Sequence, residues 1–295
     1  MGFVVGDALG VPYEFSSREE MKKDPATDMI GYGTYNMPPG TFSDDSSLVL
    51  ATMNSIIHKN EIDYEDILAE FVKWYQDSKY TQYNNTFDIG TTTLESLNNY
   101  IKGENPLECG GREERDNGNG SLMRILPLAF VDDMDYETIE NVSGLTHDHD
   151  RSKIACVFYV ELVKAVANDK TISEAVNIAS EKIKNHYNSN ENLSYFNRIT
   201  DGSICDLSSN DIKSSGYVID TLESVVYILL NTYNFKDSIL HAVDLGGDTD
   251  TIAAIVGGVS GLYYGYDSIP EDWISKIKCS ERIIELCDKY EEVIR

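Results

Sequence analysis

Positive charge is scarce in this sequence. Its 295 residues include 24 Lys and Arg against 50 Asp and Glu, so the formal net charge is −26. A surface of that sign repels the phosphate backbone of nucleic acids and anionic membranes. We therefore expect neither a long nucleic acid nor a membrane as a partner. An anionic ligand is expected to bind only where metal ions or backbone N–H groups reverse the local potential.

Features typical of secreted and membrane proteins are also missing. The five cysteines are an odd number, and no two have Cys-x-x-Cys spacing, so neither a disulfide framework nor a zinc site is expected. The N-terminal residues lack the basic and apolar regions of a signal peptide. The longest strongly apolar run, residues 252–264, is too short to span a bilayer. A reducing cytoplasm fits this pattern best.

Proline is rare, and helical periodicity dominates the long segments that its absence leaves. The chain has seven prolines. Apolar residues within 64–75 recur at helical spacing. The sequence Thr-Ile-Ser-Glu at 171–174 predicts a capping box at a helix start. Segments 154–167 and 218–230 are apolar enough for buried core helices.

The coarse pattern predicts one all-α domain over residues 1–295. No convincing series of alternating strands is present, and no repeat or low-complexity linker divides the chain. One stretch, 185–215, is polar and rich in Asn and Ser. We interpret it as a surface loop or insertion.

Two clusters of acids near opposite ends of the chain predict a single metal site. The first, Ser43-Asp44-Asp45-Ser46, lies at a loop-to-helix junction, where Ser43 is a candidate N-cap and acids complement the helix dipole. Capping explains one of these acids better than two adjacent ones.

The second cluster follows two glycines, which permit a tight backbone path. Asp248, Asp250 and the Thr251 hydroxyl are then able to converge from a helix start. Hard oxygen ligands of this kind suit Mg²⁺ or Mn²⁺ rather than zinc. Small residues within 254–261 leave an alternative, a close-packing helix with no ligand role. That alternative explains the glycines but not the acids before them.

Three weaker signals complete the candidate set. The glycine-rich segment 116–124 offers backbone N–H groups to a phosphate, although taken alone such a segment is more often a plain turn before a helix. Glu14 follows a short N-terminal helix and is either a mobile base or a solvated acid. His147 precedes a helix and is either a ligand contact or a cap.

Taken together, these segments resemble the ADP-ribosylglycohydrolase family, and in particular its bacterial branch, which includes the dinitrogenase reductase-activating glycohydrolase. The matching segments, in family order, are residues 6–15, 40–46, 87–92, 117–128, 146–147, 215–223 and 246–265. Each one is moderately specific, whereas seven in order are very specific.

The resemblance implies a compact orthogonal bundle of helices with a centre of two divalent cations, Mg²⁺ or Mn²⁺. The family's first acidic motif reads Thr-Asp-Asp-Thr, and this chain carries serine at both hydroxyl positions. The resemblance implies metal ligation by Ser43, Asp44, Asp45, Asp248, Asp250 and Thr251. It places Glu14 near the metals, so that Glu14 and Asp45 are the candidate catalytic bases.

The resemblance also implies a ligand-binding set. The phosphate-cradling loop falls on Asn119, Gly120 and Ser121, and the ribose-side histidine falls on His147. Some relatives stack adenine on an aromatic residue before the glycine loop. This chain lacks one there, which leaves Tyr217 as the candidate. Asp88 is a candidate contact for the leaving side chain.

The function implied is hydrolysis of the bond between ADP-ribose and a side chain of a modified protein, with free ADP-ribose as product. The transition state is expected to resemble an oxocarbenium ion, as in other glycoside cleavages. An arginine linkage is the first expectation. The alternatives are a serine-linked, small-molecule or nucleotide-linked ADP-ribose, a non-catalytic ADP-ribose binder or structural relative, and an unrelated metal phosphohydrolase.

Overall fold

Helices make up the regular structure of residues 1–294, the part of the chain that the computed structural model describes. The α-helices are α1 Gly2–Gly10, α2 Arg18–Lys23, α3 Asp44–Lys59, α4 Tyr64–Asp77, α5 Thr91–Ile101, α6 Tyr136–Gly144, α7 Asp150–Ala167, α8 Ile172–His186, α9 Asn197–Thr200, α10 Val218–Asn231, α11 Phe235–Asp244, α12 Thr249–Tyr264, α13 Glu271–Lys276 and α14 Ser280–Ile294. Short 3₁₀ helices are Val11–Tyr13, Pro106–Glu108, Glu114–Asp116, Leu122–Arg124, Leu126–Phe130, Glu191–Phe196, Ser203–Asp206, Ser209–Asp211 and Tyr266–Ser268. Only isolated β-bridges occur across the described range, and none of its helices is long and apolar enough to cross a membrane. The predicted all-α fold is confirmed.

The helices predicted from periodicity are present. The stripe in 64–75 becomes the buried face of α4. At the start of α8, Thr171 and Glu174 form the predicted capping box, with Thr171 N donating to the Glu174 carboxylate at 2.9 Å and Glu174 N donating to Thr171 Oγ1 at 3.3 Å. The two apolar segments become α7 and α10, which are largely buried.

The polar stretch 185–215 contains short helical turns rather than regular long helices. Four of its apolar side chains, Phe196, Ile199, Ile204 and Ile212, are buried. These four residues attach the stretch to the core, while most of its polar side chains face solvent.

Helices α1 and α12 pack backbone against backbone. A Cβ atom at Gly6 would lie 2.0 Å from the Ala253 carbonyl oxygen, and one at Gly257 would lie 2.3 Å from the Gly2 carbonyl oxygen. Since early residues of α1 meet late residues of α12, the two helices run antiparallel. The small residues of α12 therefore have a packing role, and that packing places the C-terminal end of α1 beside the acidic start of α12.

Helix α3 is fastened to the same end of α1 by one side chain. Asp7 accepts hydrogen bonds from Ser43 N at 2.8 Å, from Ser46 N at 2.9 Å and from Ser46 Oγ at 2.6 Å. The N-terminal ends of α3 and α12 and the C-terminal end of α1 consequently meet at one place. The two acidic clusters, about two hundred residues apart in sequence, start these two helices.

Candidate metal and ligand site

A cavity of about 360 Å³ opens where these helix ends meet. Its wall comes from the loop after α1, the start of α3, segment 88–93, the glycine loop 118–120, residue 147 and the start of α12. The candidate residues that line it are Glu14, Asp44, Asp88, Asn119, Gly120, His147, Asp248 and Thr251. The fold thus brings most of the sequence-derived set to one cavity.

Two groups of carboxylates have the spacing of metal-ligand sets. In the first group, Asp7, Asp45 and Asp250, one ligand oxygen from each residue lies within 4.8 Å of the others. Glu14, Asp248 and Asp250 form the second group by the same measure. Since Asp250 belongs to both, the groups adjoin each other.

Several oxygens of these groups are buried without a hydrogen-bond partner in the described chain. They are Glu14 Oε2, Asp45 Oδ1 and both carboxylate oxygens of Asp250. A buried carboxylate oxygen without a partner is costly unless a cation compensates it. An all-oxygen donor set suits a hard divalent cation. The residues present therefore fit a divalent metal centre.

The electrostatics of the cluster agree with a need for positive charge. Burial, and after it the charges of neighbouring carboxylates, raises the pKa of Asp44, Asp45 and Asp250 well above its ordinary value. Burial, followed by the charge of Asp88, raises the pKa of Glu14 to about 9. Without a counter-charge, the cluster would have to hold several protons to avoid mutual repulsion.

Two hydroxyl groups, one from each acidic motif, orient Asp45. Ser43, the N-cap of α3, donates from Oγ to Asp45 Oδ2 at 2.9 Å, and Asp45 N donates back to Ser43 Oγ at 3.3 Å. From α12, Thr251 Oγ1 donates to the same Asp45 Oδ2 at 3.2 Å. The two hydroxyls therefore fix one Asp45 oxygen and leave Oδ1 available.

The second acidic motif follows a turn that only glycine accommodates well. Gly246 and Gly247 have φ values of +69° and +76°, and a Cβ at Gly247 would lie 2.1 Å from the Ser214 carbonyl oxygen. Two backbone hydrogen bonds of 2.8 Å, Phe15 N to Gly247 O and Gly247 N to Ser16 O, join this turn to the loop after α1. The turn thereby holds Glu14 beside Asp248 and Asp250.

The glycine loop contributes differently at each position. Asn119 Nδ2 donates to Asp248 Oδ2 at 2.8 Å and to Thr221 Oγ1 at 2.9 Å, so this side chain supports the acidic motif. Gly120 faces the imidazole of His147. The Ser121 hydroxyl is fully buried and accepts a hydrogen bond from Ser143 Oγ at 2.9 Å, away from the cavity lining.

Tyr217 lies beside the cavity rather than in its lining. Its hydroxyl accepts a hydrogen bond from Arg151 Nη1 at 3.2 Å, and the Arg151 guanidinium stacks 3.5 Å from the ring centroid of Tyr195. The neighbouring Gly216 does line the cavity. The role of Tyr217 toward adenine stays a prediction.

Two residues of the site, Asp7 and Tyr35, were not predicted from the sequence. Asp7 belongs to a carboxylate group, and its signal was available, since it is the one charged residue within the apolar α1. Tyr35 donates from its hydroxyl to Asp88 Oδ1 at 2.5 Å and packs its ring 4.9 Å from that of Phe87. No pattern in the sequence indicates Tyr35, because it lies in an irregular segment far from Asp88 in the chain.

A larger cavity, of about 590 Å³, lies at the other end of α1, α3 and α12. Its lining is mainly apolar and contains none of the carboxylates of the two groups. Volume alone does not identify a reactive site, so the smaller acidic cavity is the candidate.

The chain is similar to known proteins over nearly its whole length. The family profile described as ADP-ribosylglycohydrolase matches residues 1–295. The "ADP-ribosylarginine hydrolase Tri1" of Serratia proteamaculans (strain 568) is 30% identical over 297 residues, which cover 98% of this chain and 76% of that protein. The "ADP-ribosyl-[dinitrogen reductase] glycohydrolase" of Rhodospirillum rubrum is 28% identical, with 94% and 88% covered. A solved structure titled "ADP-ribosylglycohydrolase-related protein complex" matches with a TM-score of 0.80 and 24% identity over 100% of this chain and 95% of its own, which shows the shared fold.

Proposed function

The chain belongs to the ADP-ribosylglycohydrolase family and is a hydrolytic enzyme, and from that premise we propose that it removes ADP-ribose from arginine side chains of modified proteins. We further propose that two divalent cations, Mg²⁺ or Mn²⁺, serve as cofactors and that the protein acts in the cytoplasm. The observation that carries the proposal is the presence of unpartnered carboxylate oxygens of Glu14, Asp45 and Asp250 in two adjoining carboxylate groups, of which Glu14 and Asp248 line the cavity.

Metal ligation is assigned to the residues whose oxygens converge. These are Asp45, Asp248 and Asp250, with Asp44, Ser43 and Thr251 beside them and with Asp7 added by the geometry. When bound, divalent cations supply Lewis acidity, which polarises substrate oxygens and makes water a better nucleophile near neutral pH.

The chain's own side chains then provide proton transfer and orientation. Glu14 Oε2 and Asp45 Oδ1 have no hydrogen-bond partner in the described chain, so each is a candidate to accept the proton of an attacking water once bound cations keep the cluster ionised. The backbone of the glycine loop and the His147 ring form one wall of the cavity, and to this wall we assign the ribose and diphosphate of ADP-ribose. Negative charge around the cavity stabilises positive charge that develops at the anomeric carbon.

An arginine linkage is supported by the chemistry of Asp88. Tyr35 holds one carboxylate oxygen of Asp88, which lines the cavity. A guanidinium pairs strongly with a carboxylate, and an acidic cavity favours a cationic leaving group over a neutral one. The relative with 30% identity is named as a hydrolase of ADP-ribosylarginine.

A panel of ADP-ribosylated substrates tests this proposal. We expect mass spectrometry to find free ADP-ribose released from arginine-linked protein much faster than from serine-linked protein or from a nucleotide-linked conjugate. Faster release from either of the other substrates would overturn the arginine assignment. Release of inorganic phosphate without ADP-ribose would indicate a phosphohydrolase.

Matched variants test the metal centre. Asp44→Ala and Asp248→Ala are expected to abolish ADP-ribose release and to weaken binding of Mn²⁺ measured by calorimetry. Asp272→Ala, which removes an exposed acid of α13 remote from the cavity, is the control and is expected to behave as the wild type. Two normally bound ions and normal turnover in both site variants would contradict the proposed centre. Failure to cleave any substrate while ADP-ribose still binds would indicate a non-catalytic binder.

A further inference from the structure

Arg124 is a fully buried guanidinium that the proposed chemistry does not use. Its Nη2 donates to the Thr146 hydroxyl at 2.8 Å and to the Val142 carbonyl oxygen at 2.9 Å. Its guanidinium carbon lies 4.8 Å from the centroid of the Phe71 ring. No carboxylate within residues 1–294 forms a salt bridge with it. An unpaired buried charge is costly, so a role that offsets this cost is expected.

The Thr146 hydroxyl joins this guanidinium to the ring of His147. Thr146 Oγ1 lies 2.9 Å from His147 Nδ1. Arg124 is a donor only, so Oγ1 must accept from it. The hydroxyl has a single proton of its own, and His147 Nδ1 is the acceptor within reach. Nδ1 therefore accepts, and a neutral imidazole must then carry its proton on Nε2.

The other protonation states of His147 fit the surroundings poorly. If Nδ1 donated to Thr146 Oγ1, the hydroxyl would face two donors and its proton would have no acceptor among the described residues. Burial, and after it the charge of Arg124, lowers the pKa of His147 to about 3, so the doubly protonated ring is not populated near neutral pH. Both considerations leave the neutral ring protonated on Nε2.

The geometry of the glycine loop directs Nε2 toward the ligand. A Cβ atom at Gly118 would lie 3.3 Å from Nε2, and one at Gly120 would lie 3.2 Å from it. Glycine at both positions adds no side chain beside Nε2. Within the described chain Nε2 has no hydrogen-bond acceptor, and His147 lines the cavity.

We propose that Arg124 and Thr146 are positioning residues that hold His147 as a neutral imidazole protonated on Nε2. The cavity then offers its ligand a fixed hydrogen-bond donor at this point and no base. The complementary group is an acceptor oxygen of the ribose or diphosphate. The identity of that ligand rests on the proposed function, whereas the state of the ring does not.

Nuclear magnetic resonance of the full chain, labelled with ¹⁵N-histidine, tests the ring state directly. Long-range ¹H–¹⁵N correlations distinguish the two neutral tautomers, and loss of one set in His147→Gln assigns the signals among the five histidines. At neutral pH we expect His147 to be wholly Nε2-protonated in the wild type. A ring protonated on Nδ1, or an imidazolium, would overturn the proposal even if the protein hydrolyses ADP-ribose.

Two substitutions at Thr146 test the relay. Thr146→Val keeps the shape but removes the hydroxyl, and we expect it to release the ring into a mixture of tautomers. Thr146→Ser restores the hydroxyl and should restore the single tautomer. A valine variant that stays wholly Nε2-protonated would show that Thr146 does not fix the ring. If the valine variant does not fold, the wild-type and serine spectra still decide the ring state.

Ligand affinity gives a second readout. Loss of one fixed hydrogen bond to an oxygen should raise the Kd for ADP-ribose, measured by calorimetry, about 3–10-fold in Thr146→Val and not in Thr146→Ser. In turnover the same loss should appear in KM more than in kcat, because the donor contacts the bound group and takes no proton. Equal affinity in both variants would overturn the donor role. Absence of ADP-ribose binding in the wild type would instead contradict the proposed function.

Discussion

At the scale of single residues, Asp88 shows how a carboxylate of the cavity lining is held by a side chain from a distant segment. Asp88 has a positive φ of 62°, which a non-glycine residue rarely adopts, so its segment needs support from neighbours. Tyr35 supplies it through the 2.5 Å hydrogen bond to Oδ1. The Tyr35 segment is in turn tied to the Glu14 segment, since Thr34 Oγ1 donates to the Glu14 carbonyl oxygen at 2.7 Å. Tyr35 thereby couples the positions of Glu14 and Asp88.

Tyr35→Phe should therefore impair turnover while preserving the fold. Phenylalanine retains the ring contact with Phe87 but removes the donor to Asp88. A hydrogen bond to a charged group contributes about 1.5–3 kcal/mol, which corresponds to a fall in kcat/KM of about 10–100-fold on arginine-linked substrate. Tyr32→Phe, at a residue that is 59% exposed, is the matched control. Normal kcat/KM in Tyr35→Phe would show that Asp88 needs no such donor.

The residues of the site differed in how readily the sequence indicated them. Asp44, Asp45, Asp248 and Asp250 stand in short acidic motifs at helix starts, so chemistry and local pattern agree. Tyr35 acts only through a contact between segments 53 residues apart, and no local rule encodes such a contact. The sequence pattern does not specify which distant segments come into contact in the folded protein.

At the scale of elements, the pairing of α1 with α12 decides where the acids meet. The glycines of α1 and α12 allow the backbones to touch, so Asp7 and Asp250 come within ligand distance of each other. Glycine within a helix costs about 1 kcal/mol relative to alanine. Close packing of the two helices offsets that cost, and the proximity of the Asp7 and Asp250 carboxylates depends on the same contact.

Gly6→Ala tests this dependence. The added Cβ would lie 2.0 Å from the Ala253 carbonyl oxygen, so a helix must move. Overpacking costs about 1–3 kcal/mol and should outweigh the gain in helix propensity, so we expect a lower free energy of unfolding in urea and a large loss of activity. Gly90→Ala is the steric control, because its φ of −65° suits alanine and its nearest contact would be 4.0 Å away, so only the modest cost of alanine at the N-cap of α5 is expected. Equal stability of the two variants would mean that α1 and α12 tolerate separation.

Helix α4 carries a buried carboxylate, Glu70, that forms hydrogen bonds with the loop after the helix. Glu70 accepts from Lys73 Nζ at 2.6 Å, from Lys79 Nζ at 2.5 Å and from the Tyr80 hydroxyl. Burial alone would raise the pKa of Glu70, but these donors outweigh it and lower the pKa to about 2. Because the folded-state pKa is depressed, the stabilisation is present above the ordinary pKa near 4.5 and is lost as the pH falls toward 2.

Glu70→Gln should therefore destabilise the protein in a pH-dependent way. At pH 7 we expect its free energy of unfolding to be lower than that of the wild type by about 1–3 kcal/mol, measured by urea titration. The difference should shrink as the pH falls below about 4.5. Glu61→Gln removes an exposed acid outside the helices and should show no such trend. A difference independent of pH would mean that packing, and not ionisation, accounts for the effect.

At the scale of the whole molecule, the fold was more predictable than the pairing of its helices. Periodicity and the capping box indicated α4, α7, α8 and α10, because one face of each must be buried. Short helices within 185–215 escaped prediction, since they are fixed by a few buried side chains in a polar stretch. The choice of partner helices follows from contacts that no local pattern specifies.

The acidic centre joins helices that are distant in sequence, so the proposed cations should act on the stability of the whole fold. The carboxylates of α1, α3 and α12 meet there, on a protein with a net charge of −26. A ligand that binds only the folded state stabilises it by about 2.7 kcal/mol at a concentration of 100 times Kd. We therefore expect chelation to lower Tm by several degrees in calorimetry and to stop turnover, with both restored by Mg²⁺ or Mn²⁺.

The location of the stability loss on chelation distinguishes metal binding at the acidic centre from a general effect of salt. After chelation, hydrogen exchange should accelerate at the starts of α3 and α12 and in the loop around Glu14, but not in α8, which lies outside the carboxylate groups. Asp250→Asn, which removes a charge common to both groups, should reduce the metal-dependent gain in Tm and should also relieve repulsion in the metal-free protein. The variant would then be more stable than the wild type without metal and less stable than it with metal. A uniform change in exchange, or the same gain in Tm for both proteins, would place the cations elsewhere on the acidic surface.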